Sequence, residues 1–161
     1  MNIENTPGRL NEITGFPFRV IVDVAHNAHG LNALVGLIDQ LPVNGKRILN
    51  FGASGQSSTD AIQALAKQAA GHFDRYVVRN YFIDRSLILK FRTYEEVPEI
   101  LKAELKQQGV PEEMITVEPD VMDSLDWSLK NARKGDLLVV LARVAADDKF
   151  KVIQKLEDAA K

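Results

Sequence analysis

The sequence contains no cysteine among its 161 residues. This absence excludes disulfide bonds, thiolate metal ligands and a cysteine nucleophile, and it fits a cytoplasmic location. No apolar run approaches the roughly 20 residues that a bilayer-spanning helix needs. The first twelve residues also lack the apolar core of a signal peptide. The sequence therefore predicts no contact with a membrane.

Charge of one sign and phosphate-binding motifs are missing as well. The 20 Lys and Arg residues are balanced by 22 Asp and Glu residues, and no block of basic residues stands out. We therefore expect no nucleic-acid partner. Neither G-x-x-x-x-G-K-[ST] nor G-x-G-x-x-G occurs in the chain. No serine lies on a nucleophile elbow, so the sequence does not indicate a Ser/His/Asp hydrolase.

Strand-like and helix-like segments alternate along the chain. The run FRVIVDVA (18–25) is apolar on both faces, which is typical of a strand covered on both sides, and a segment of helical spacing follows it. The pattern repeats about five times and predicts a Rossmann-like, doubly wound α/β fold. We expect a mostly parallel sheet of about six strands with helices on both faces, in one domain over residues 1–161. The predicted strands are 9–14, 18–25, 47–53, 75–81, 114–119 and 136–143, and the predicted helices are 29–41, 60–73, 93–109, 120–135 and 146–161.

Several local features follow from residue type. Ser58 or Thr59 is expected to cap the second helix, and Thr93 with Glu96 reads as a capping box for the third. Gly109 is placed to end that third helix. Residues 82–92 are predicted to form a long loop. Trp127 is expected in the core or at an interface.

The loop after strand 18–25 carries the densest set of polar groups, Asp23, His26, Asn27 and His29. Ligands of open parallel sheets bind beyond the carboxyl ends of the strands. A carboxylate there can accept two ribose hydroxyls, and an imidazole and an amide can reach phosphate oxygens. In the alternative interpretation Asn27 caps the helix and Asp23 accepts turn N–H groups. Zinc is a weaker option because no fourth ligand is evident.

Two other regions are less specific. Gly52 and Gly55 in NFGASGQSSTD (50–60) would allow a phosphate to approach the backbone, but a capped glycine-rich turn explains them equally well. Charged residues lie around the ends of the strands 75–81 and 136–143, and we expect most of them to be solvated charges at the rim. They are Arg79, Asp84, Arg85, Arg143, Asp147 and Asp148.

Two segments together resemble a known family. TPGRLNE (6–12), a glycine-led turn and VIVDVAHNAHGLNAL (20–34) are similar to the C-terminal domain of the Mur ligases, in which a P-G-R segment leads into a strand with a D-x-A-H-N-P pattern. The variant with a second histidine, A-H-N-x-H, is most similar to the cyanophycin synthetases of that family. The order of the elements fits over nearly the whole chain.

The resemblance implies part of an ATP-dependent ligase. Such ligases use ATP and Mg²⁺ to activate a carboxylate of a small-molecule or peptide substrate as an acyl phosphate, and an amine then attacks to form an amide. Arg9 and Asp23 would bind the nucleotide. His26 and Asn27 would line the ATP site and position the amine, and His29 matches the cyanophycin-type variant. The partner would be the central ATPase domain of the same polypeptide, so the chain is expected to be a domain excised from a longer ligase and inactive alone.

Two departures keep other functions open. Ala28 stands where the family usually has proline, and residues 56–59 are uncharged where the family often has a G-x-R-D-like segment. A cationic contact to phosphate or substrate is thus missing from that loop. The first alternative is a stand-alone Rossmann-like module that binds a nucleotide or a protein without catalysis. The second is a metal-dependent hydrolase that uses Asp23, His26 and His29.

Overall fold

The computed structural model describes residues 11–23, 28–141 and 146–161. Their strands form one six-stranded sheet in the order β1-β2-β6-β3-β4-β5. Strand β1 is antiparallel to β2, and the other neighbouring strands are parallel. The predicted fold class is thereby confirmed. The strands are β1 (Asn11–Ile13), β2 (Arg19–Asp23), β3 (Arg47–Ala53), β4 (Arg75–Asn80), β5 (Ile115–Val117) and β6 (Leu137–Leu141).

Helices cover both faces of the sheet. They are α1 (Ala28–Asp39), α2 (Thr59–Ala69), α3 (Arg85–Leu89), α4 (Glu96–Gln107), α5 (Val121–Asn131) and α6 (Ala146–Ala159), and a 3₁₀ turn (Glu112–Met114) precedes β5. Apolar side chains of α1, α2 and α4 share one core with the sheet. Those of α5 and α6 share a second core on the opposite face. None of the described helices is long and apolar enough to cross a membrane.

The central strands show why the sheet forms. All five residues of β6 are buried, and so are Val20, Ile21 and Val22 of β2. Alternate side chains of a strand enter opposite cores, so both faces must be apolar. In β6, Val139 enters the first core and Val140 enters the second.

The strand order creates a topological switch point at one edge of the sheet. Strand β6 lies between β2 and β3. The helices that follow β2 and β3 pack on the first face, whereas the helix that follows β6 packs on the second. Chain segments that leave neighbouring strands toward opposite faces open a switch point at the carboxyl ends of those strands. The sequence predicts the alternation but not this insertion of β6.

Some local predictions are confirmed. The Ser58 hydroxyl accepts a hydrogen bond from Ala61 N at 3.1 Å and so caps α2. Gly109 follows the last residues of α4 with a φ of +98°, a backbone conformation that favours glycine. Trp127 is half-buried against the second core, and the Arg75 guanidinium lies 5.5 Å from its ring centroid.

Two local predictions are wrong. The segment 82–92 is not a continuous loop, because it contains α3, which Asp84 caps by accepting a hydrogen bond from Ser86 N at 2.9 Å. A five-residue helix is too short for periodicity to reveal. Thr93 does not cap α4, which begins at Glu96 with Glu95 at the N-cap and no side-chain cap bond. The Thr93 carbonyl instead accepts from Glu96 N, so Thr93 belongs to the preceding turn.

Candidate functional site

The edge of the sheet where the parallel strands end is called here the carboxyl edge. The strand ends are Asp23, Ala53, Asn80, Val117 and Leu141. Asp23 and Leu141 are register partners in the pairing of β2 with β6. The switch point therefore lies at these two residues. The loops that leave them, 24–27 and 142–145, lie outside the described residues.

The structure places two of the five predicted site residues at this edge. Asp23 is half-buried at the end of β2, and His29 is exposed in the first turn of α1. Arg9, His26 and Asn27 lie outside the described residues. Their roles, and the alternative in which Asn27 caps α1, stay predictions. Asp23 is thus the described carboxylate at the switch point that could accept ribose hydroxyls.

A metal centre has limited support in the part of the chain that the structure describes. Among residues 11–23, 28–141 and 146–161 there is no group of three or more His, Cys, Asp or Glu side chains that could hold a metal ion. His26, one of the three residues of the zinc alternative, lies outside those ranges.

The glycine-rich loop after β3 is a closed turn. Ser54 accepts hydrogen bonds from Gln56 N through its hydroxyl at 3.1 Å and from Ser57 N through its carbonyl at 3.0 Å. Arg92 reaches in from the segment after α3 and donates to the carbonyls of Gly55 at 3.1 Å and Ser57 at 3.0 Å. The same guanidinium forms an ion pair with Glu96. The loop therefore has a cation beside it, but that cation is engaged with its carbonyls and a carboxylate.

Arg79 is the largest correction to the predicted rim charges. Its side chain is fully buried on β4 rather than solvated. Its Nε donates to Asn50 Oδ1 at 2.6 Å, and its Nη1 donates to the carbonyl of Asn80 at 3.1 Å. Its Nη2 donates to the carbonyl of Leu141. One guanidinium thus binds groups on β3, β4 and β6 at the carboxyl edge.

The surroundings of Arg79 are polar but neutral. Asn50 Nδ2 donates to the hydroxyls of Ser124 at 3.2 Å and Ser128 at 3.1 Å, both on α5. No carboxylate contacts the guanidinium within the described ranges. Desolvation lowers the pKa of Arg79 to about 9, which leaves the group charged at neutral pH. Burial of an unpaired charge costs several kcal/mol, so this is an unusual residue for a core.

The other charged candidates divide into two groups. Asp148 is mostly buried. Its carboxylate accepts a hydrogen bond from Ile83 N at 3.0 Å and so connects α6 to the segment after β4. The expectation of a solvated charge is therefore wrong for Asp148 also. Asp84 and Arg85 are exposed, as expected. Hydrogen bonds from Ser86 lower the pKa of the Asp84 carboxyl. Arg143 and the side chain of Asp147 lie outside the description.

Large apolar side chains are exposed close to the same edge. Leu89 is 55% exposed and Phe91 is 42% exposed, both within the segment that follows β4. Phe150 is 61% exposed in the second turn of α6. Phe91 stacks on Phe82 with 6.2 Å between ring centroids, and it lies against Gly55. The carboxyl edge therefore combines a half-buried carboxylate, a buried cation and an apolar rim.

Asp23 and His29 lie at the carboxyl edge, where the sequence predicts them. Arg79 was expected to be a solvated rim charge, and Arg92 was not among the predicted candidates. The sequence RYVVRN (75–80) contains a signal for the burial of Arg79, because this charge directly follows apolar residues inside a strand. The serines of α5, which make room for a polar cluster, lie far away in sequence. No short-range pattern indicates Arg92, whose partners in the loop after β3 are about 35 residues away.

Solved structures share this fold. A UDP-N-acetylmuramoyl-L-alanyl-D-glutamate–2,6-diaminopimelate ligase is 16% identical with a TM-score of 0.68, over 98% of this chain and 32% of that one. FolC of E. coli in complex with ADP is 22% identical with a TM-score of 0.67, over 95% and 32%. The UDP-N-acetylmuramate-alanine ligase MurC of Thermotoga maritima is 15% identical with a TM-score of 0.61, over 94% and 30%. The chain spans about a third of the length of each.

Sequence comparison gives the family. None of the curated proteins matches the chain significantly. The sequence profile of the family described as "Mur ligase, glutamate ligase domain" matches residues 8–144. That match covers most of the chain and includes every predicted site residue from Arg9 to His29. The chain therefore belongs to the Mur ligase, glutamate ligase domain family.

Proposed function

We propose that this chain is the C-terminal domain of an ATP-dependent, amide-bond-forming ligase of the cyanophycin synthetase type. The observation that carries the proposal is the position of Asp23, half-buried at the switch point of a fold that the Mur ligase profile matches over residues 8–144. The A-H-N-x-H pattern at residues 25–29 supports the cyanophycin-type assignment. The substrates would be a small-molecule or peptide carboxylate and an amine.

The nucleotide would be shared between domains. The chain has no P-loop, so the lysine-bearing phosphate cradle and Mg²⁺ would belong to a central ATPase domain of the same polypeptide. Two solved structures of FolC, a fold relative, contain ADP, which supports ATP as the nucleotide. Bound ATP and Mg²⁺ would supply activation of the carboxylate as an acyl phosphate. In this chain, Asp23 and Arg9 would hold the nucleotide.

The amine would be positioned by the start of α1 and the loop before it. His26 and Asn27 would line the interface with the ATP site, and His29 would extend that surface. His29 is exposed at the carboxyl edge and thus accessible to a ligand held by another domain. The exposed side chains of Leu89 and Phe91, close together in the segment after β4, support a covering domain, because clustered apolar side chains mark interaction surfaces.

One observation favours a second candidate, a stand-alone module that binds a nucleotide or a protein without catalysis. The loop 56–59 is uncharged, and the nearby Arg92 is bound to Glu96 and to carbonyls of the loop. In the described structure this loop therefore offers no cation for a transferred phosphoryl group. The two candidates differ in whether the chain binds a nucleotide alone.

Substitution of Asp23 tests the ligase. In the full-length polypeptide, we expect Asp23→Ala to raise the KM for ATP by about 10-fold or more, since hydrogen bonds to a charged group are worth about 1.5–3 kcal/mol. Amine-dependent phosphate release gives the rate. Glu99→Ala, an exposed acidic residue on α4, is the matched control and should behave like the wild type. An Asp23→Ala enzyme with unchanged kinetics would contradict the proposal.

Calorimetry on the 161-residue chain separates the two candidates. The ligase proposal expects no heat on addition of Mg-ATP, with or without Asp23→Ala, because the site is incomplete. Clear binding that the substitution abolishes would favour the stand-alone module.

A further inference from the structure

The side chain of Arg79 connects three neighbouring strands. Strand β3 lies between β4 and β6, so a side chain from β4 must cross β3 to reach the carbonyl of Leu141. The register partner of Arg79 on β3 is Gly52, which has no side chain to block that path. Asn50, two residues earlier on the same face of β3, accepts from Nε at 2.6 Å. The path and its polar partners are thus provided by β3 itself.

Packing alone does not account for an arginine at this position. The side chain is fully buried, and within the described residues it donates to an amide and two carbonyls, all neutral. An apolar side chain of similar length would fill the space without desolvating a charge, although it would not donate to these acceptors. What the guanidinium adds is three hydrogen bonds in a rigid planar fork. Two of them fix carbonyls at strand ends, those of Asn80 and Leu141.

The fixed carbonyl of Leu141 lies at the switch point. Leu141 is the register partner of Asp23, and the loops 24–27 and 142–145 leave from these two residues. We infer that Arg79 is a positioning residue of the proposed site, which locks the carboxyl end of β6 against β3 and β4 and thereby holds Asp23 in place. The functional part of this inference rests on the proposed ligase activity, whereas the mechanical part does not.

The mechanical part is tested on the 161-residue chain by amide hydrogen exchange. We expect Arg79→Met to speed exchange at least about 10-fold in two segments, the ends of β2 (residues 21–23) and of β6 (residues 139–141). Amides of α4, which packs on the opposite face of the sheet, should exchange at the wild-type rate. The matched controls are Ser124→Ala and Ser128→Ala. They alter the same buried cluster on the α5 side without touching a strand-end carbonyl, and they should leave both segments unchanged.

Two results would overturn the inference. One is unchanged exchange in both segments of Arg79→Met. The other is a uniform increase that includes α4, which would indicate a general loss of stability. If Arg79→Met does not fold, Arg79→Lys replaces it. A lysine keeps the charge but lacks the planar fork, so both segments should still loosen, and wild-type exchange in a folded Arg79→Lys chain would also overturn the inference.

Kinetics in the full-length polypeptide test the functional part. If Arg79 acts through Asp23, Arg79→Met should raise the KM for ATP about 5-fold or more with a smaller change in kcat, and Arg79→Lys should restore part of the difference. If Asp23→Ala impairs the enzyme and Arg79→Met does not, the functional part of the inference is wrong and the ligase proposal stands. If Asp23→Ala has no effect while exchange loosens as expected, the ligase proposal fails and the mechanical role of Arg79 stands.

Discussion

Side chains of opposite charge bind some of the backbone groups at the two edges of the parallel sheet. At the amino edge, where the strands begin, Asp136 accepts hydrogen bonds from Lys46 N and Arg133 N, both at 2.8 Å. Asp74 there accepts from Arg47 N at 2.8 Å. At the carboxyl edge, Arg79 and Arg92 donate to carbonyls instead. At the amino edge these carboxylates bind N–H groups, and at the carboxyl edge these guanidinium groups bind carbonyls. The contrast has exceptions, because Arg47 at the start of β3 donates to the carbonyl of Leu41 at 2.7 Å and Asp148 accepts from Ile83 N after β4.

The polarity of parallel strands explains the difference. Every parallel strand leaves unpaired N–H groups at its start and unpaired carbonyls at its end, and buried backbone groups need partners. Asp136 is 7% exposed and lies just before β6, whereas Arg79 is buried near the end of β4. Each charge therefore meets backbone groups of complementary polarity.

The two edges also differ in their backbone turns and in their exposed apolar side chains. At the amino edge the backbone bonds Gly45 N to Gly135 O and Leu137 N to Lys46 O close the turns around Asp136 at 2.9 Å each. Phe91 in the segment after β4 and Phe150 on α6, which follows β6, are exposed. Under the proposed function, the carboxyl edge would carry the contact with another domain, and the amino edge would contribute to stability alone. Substitutions at each edge sharpen that comparison.

The largest expected effect is at the carboxyl edge, with Gly52→Ala. A Cβ at Gly52 would lie 2.4 Å from the carbonyl oxygen of Arg79 and 2.6 Å from that of Asn80, both backbone atoms of the neighbouring strand. The strands β3 and β4 would have to separate under the switch point. We expect a loss of about 3 kcal/mol or more in the free energy of unfolding. Thermal and urea unfolding measure it.

The control for this prediction is a glycine without such contacts. Gly36 lies in the interior of α1, exposed, with nothing within 4 Å of an added Cβ. Gly36→Ala should stabilise the protein by up to about 1 kcal/mol through helix propensity. A Gly52→Ala protein as stable as the wild type would show that β3 and β4 are not held this closely.

The second effect is at the amino edge, with Asp136→Ala. The substitution removes the acceptor of two backbone N–H groups in a nearly buried position. We expect a loss of about 2–3 kcal/mol, because such donors are costly to leave unpaired. Asp126→Ala is the control: it breaks an exposed ion pair with Lys155, worth about 0–1 kcal/mol.

A kinetic measurement completes the second comparison. If the amino edge serves stability alone, Asp136→Ala in the full-length polypeptide should leave the KM for ATP unchanged at temperatures where the protein is folded. A KM that rises as much as in Asp23→Ala would remove the distinction between the edges.

The sequence predicts the layers of the fold well because each depends on local pattern. Strands that are apolar on both faces and helices of regular spacing require a covered parallel sheet. The position of β6 between β2 and β3 is not local, since it depends on which strand ends pair after the whole chain has collapsed. The same limit applies to α3, whose five residues are too few to show a period.

Prediction of the site shows the same difference between local position, which the sequence predicts, and tertiary contacts, which it does not. Asp23 and His29 could be placed at the carboxyl edge because a residue at a strand end or a helix start has a fixed position in such a sheet. The burial of Arg79 could not be predicted, because it depends on Asn50, Gly52 and the serines of α5 meeting over β3. A charge near the end of a strand is usually solvated, and only the tertiary contacts reverse that expectation.

The smallest expected effect is the pH dependence contributed by Glu118, a half-buried carboxylate just after β5 at the carboxyl edge. Desolvation and the nearby Asp123 raise the pKa of Glu118 above its ordinary value of 4.5. The folded state thus binds this proton more tightly than the unfolded state, so stability falls as pH rises from 4.5 through the raised pKa. Glu118→Gln removes that penalty.

We expect Glu118→Gln to stabilise the protein at pH 7 by a few tenths of a kcal/mol, because solvent screens the exposed part of the side chain. The difference from the wild type should vanish below about pH 4, where the carboxyl is protonated in both states. Glu112→Gln is the comparison of opposite sign. A hydrogen bond from Lys106 lowers the pKa of Glu112, so its stabilisation is present at neutral pH and is lost as pH falls through that lowered pKa. Urea midpoints at pH 4 and pH 7 measure both differences. A Glu118→Gln protein less stable than the wild type at pH 7 would mean that the folded protein stabilises the charged carboxylate of Glu118, contrary to the raised pKa.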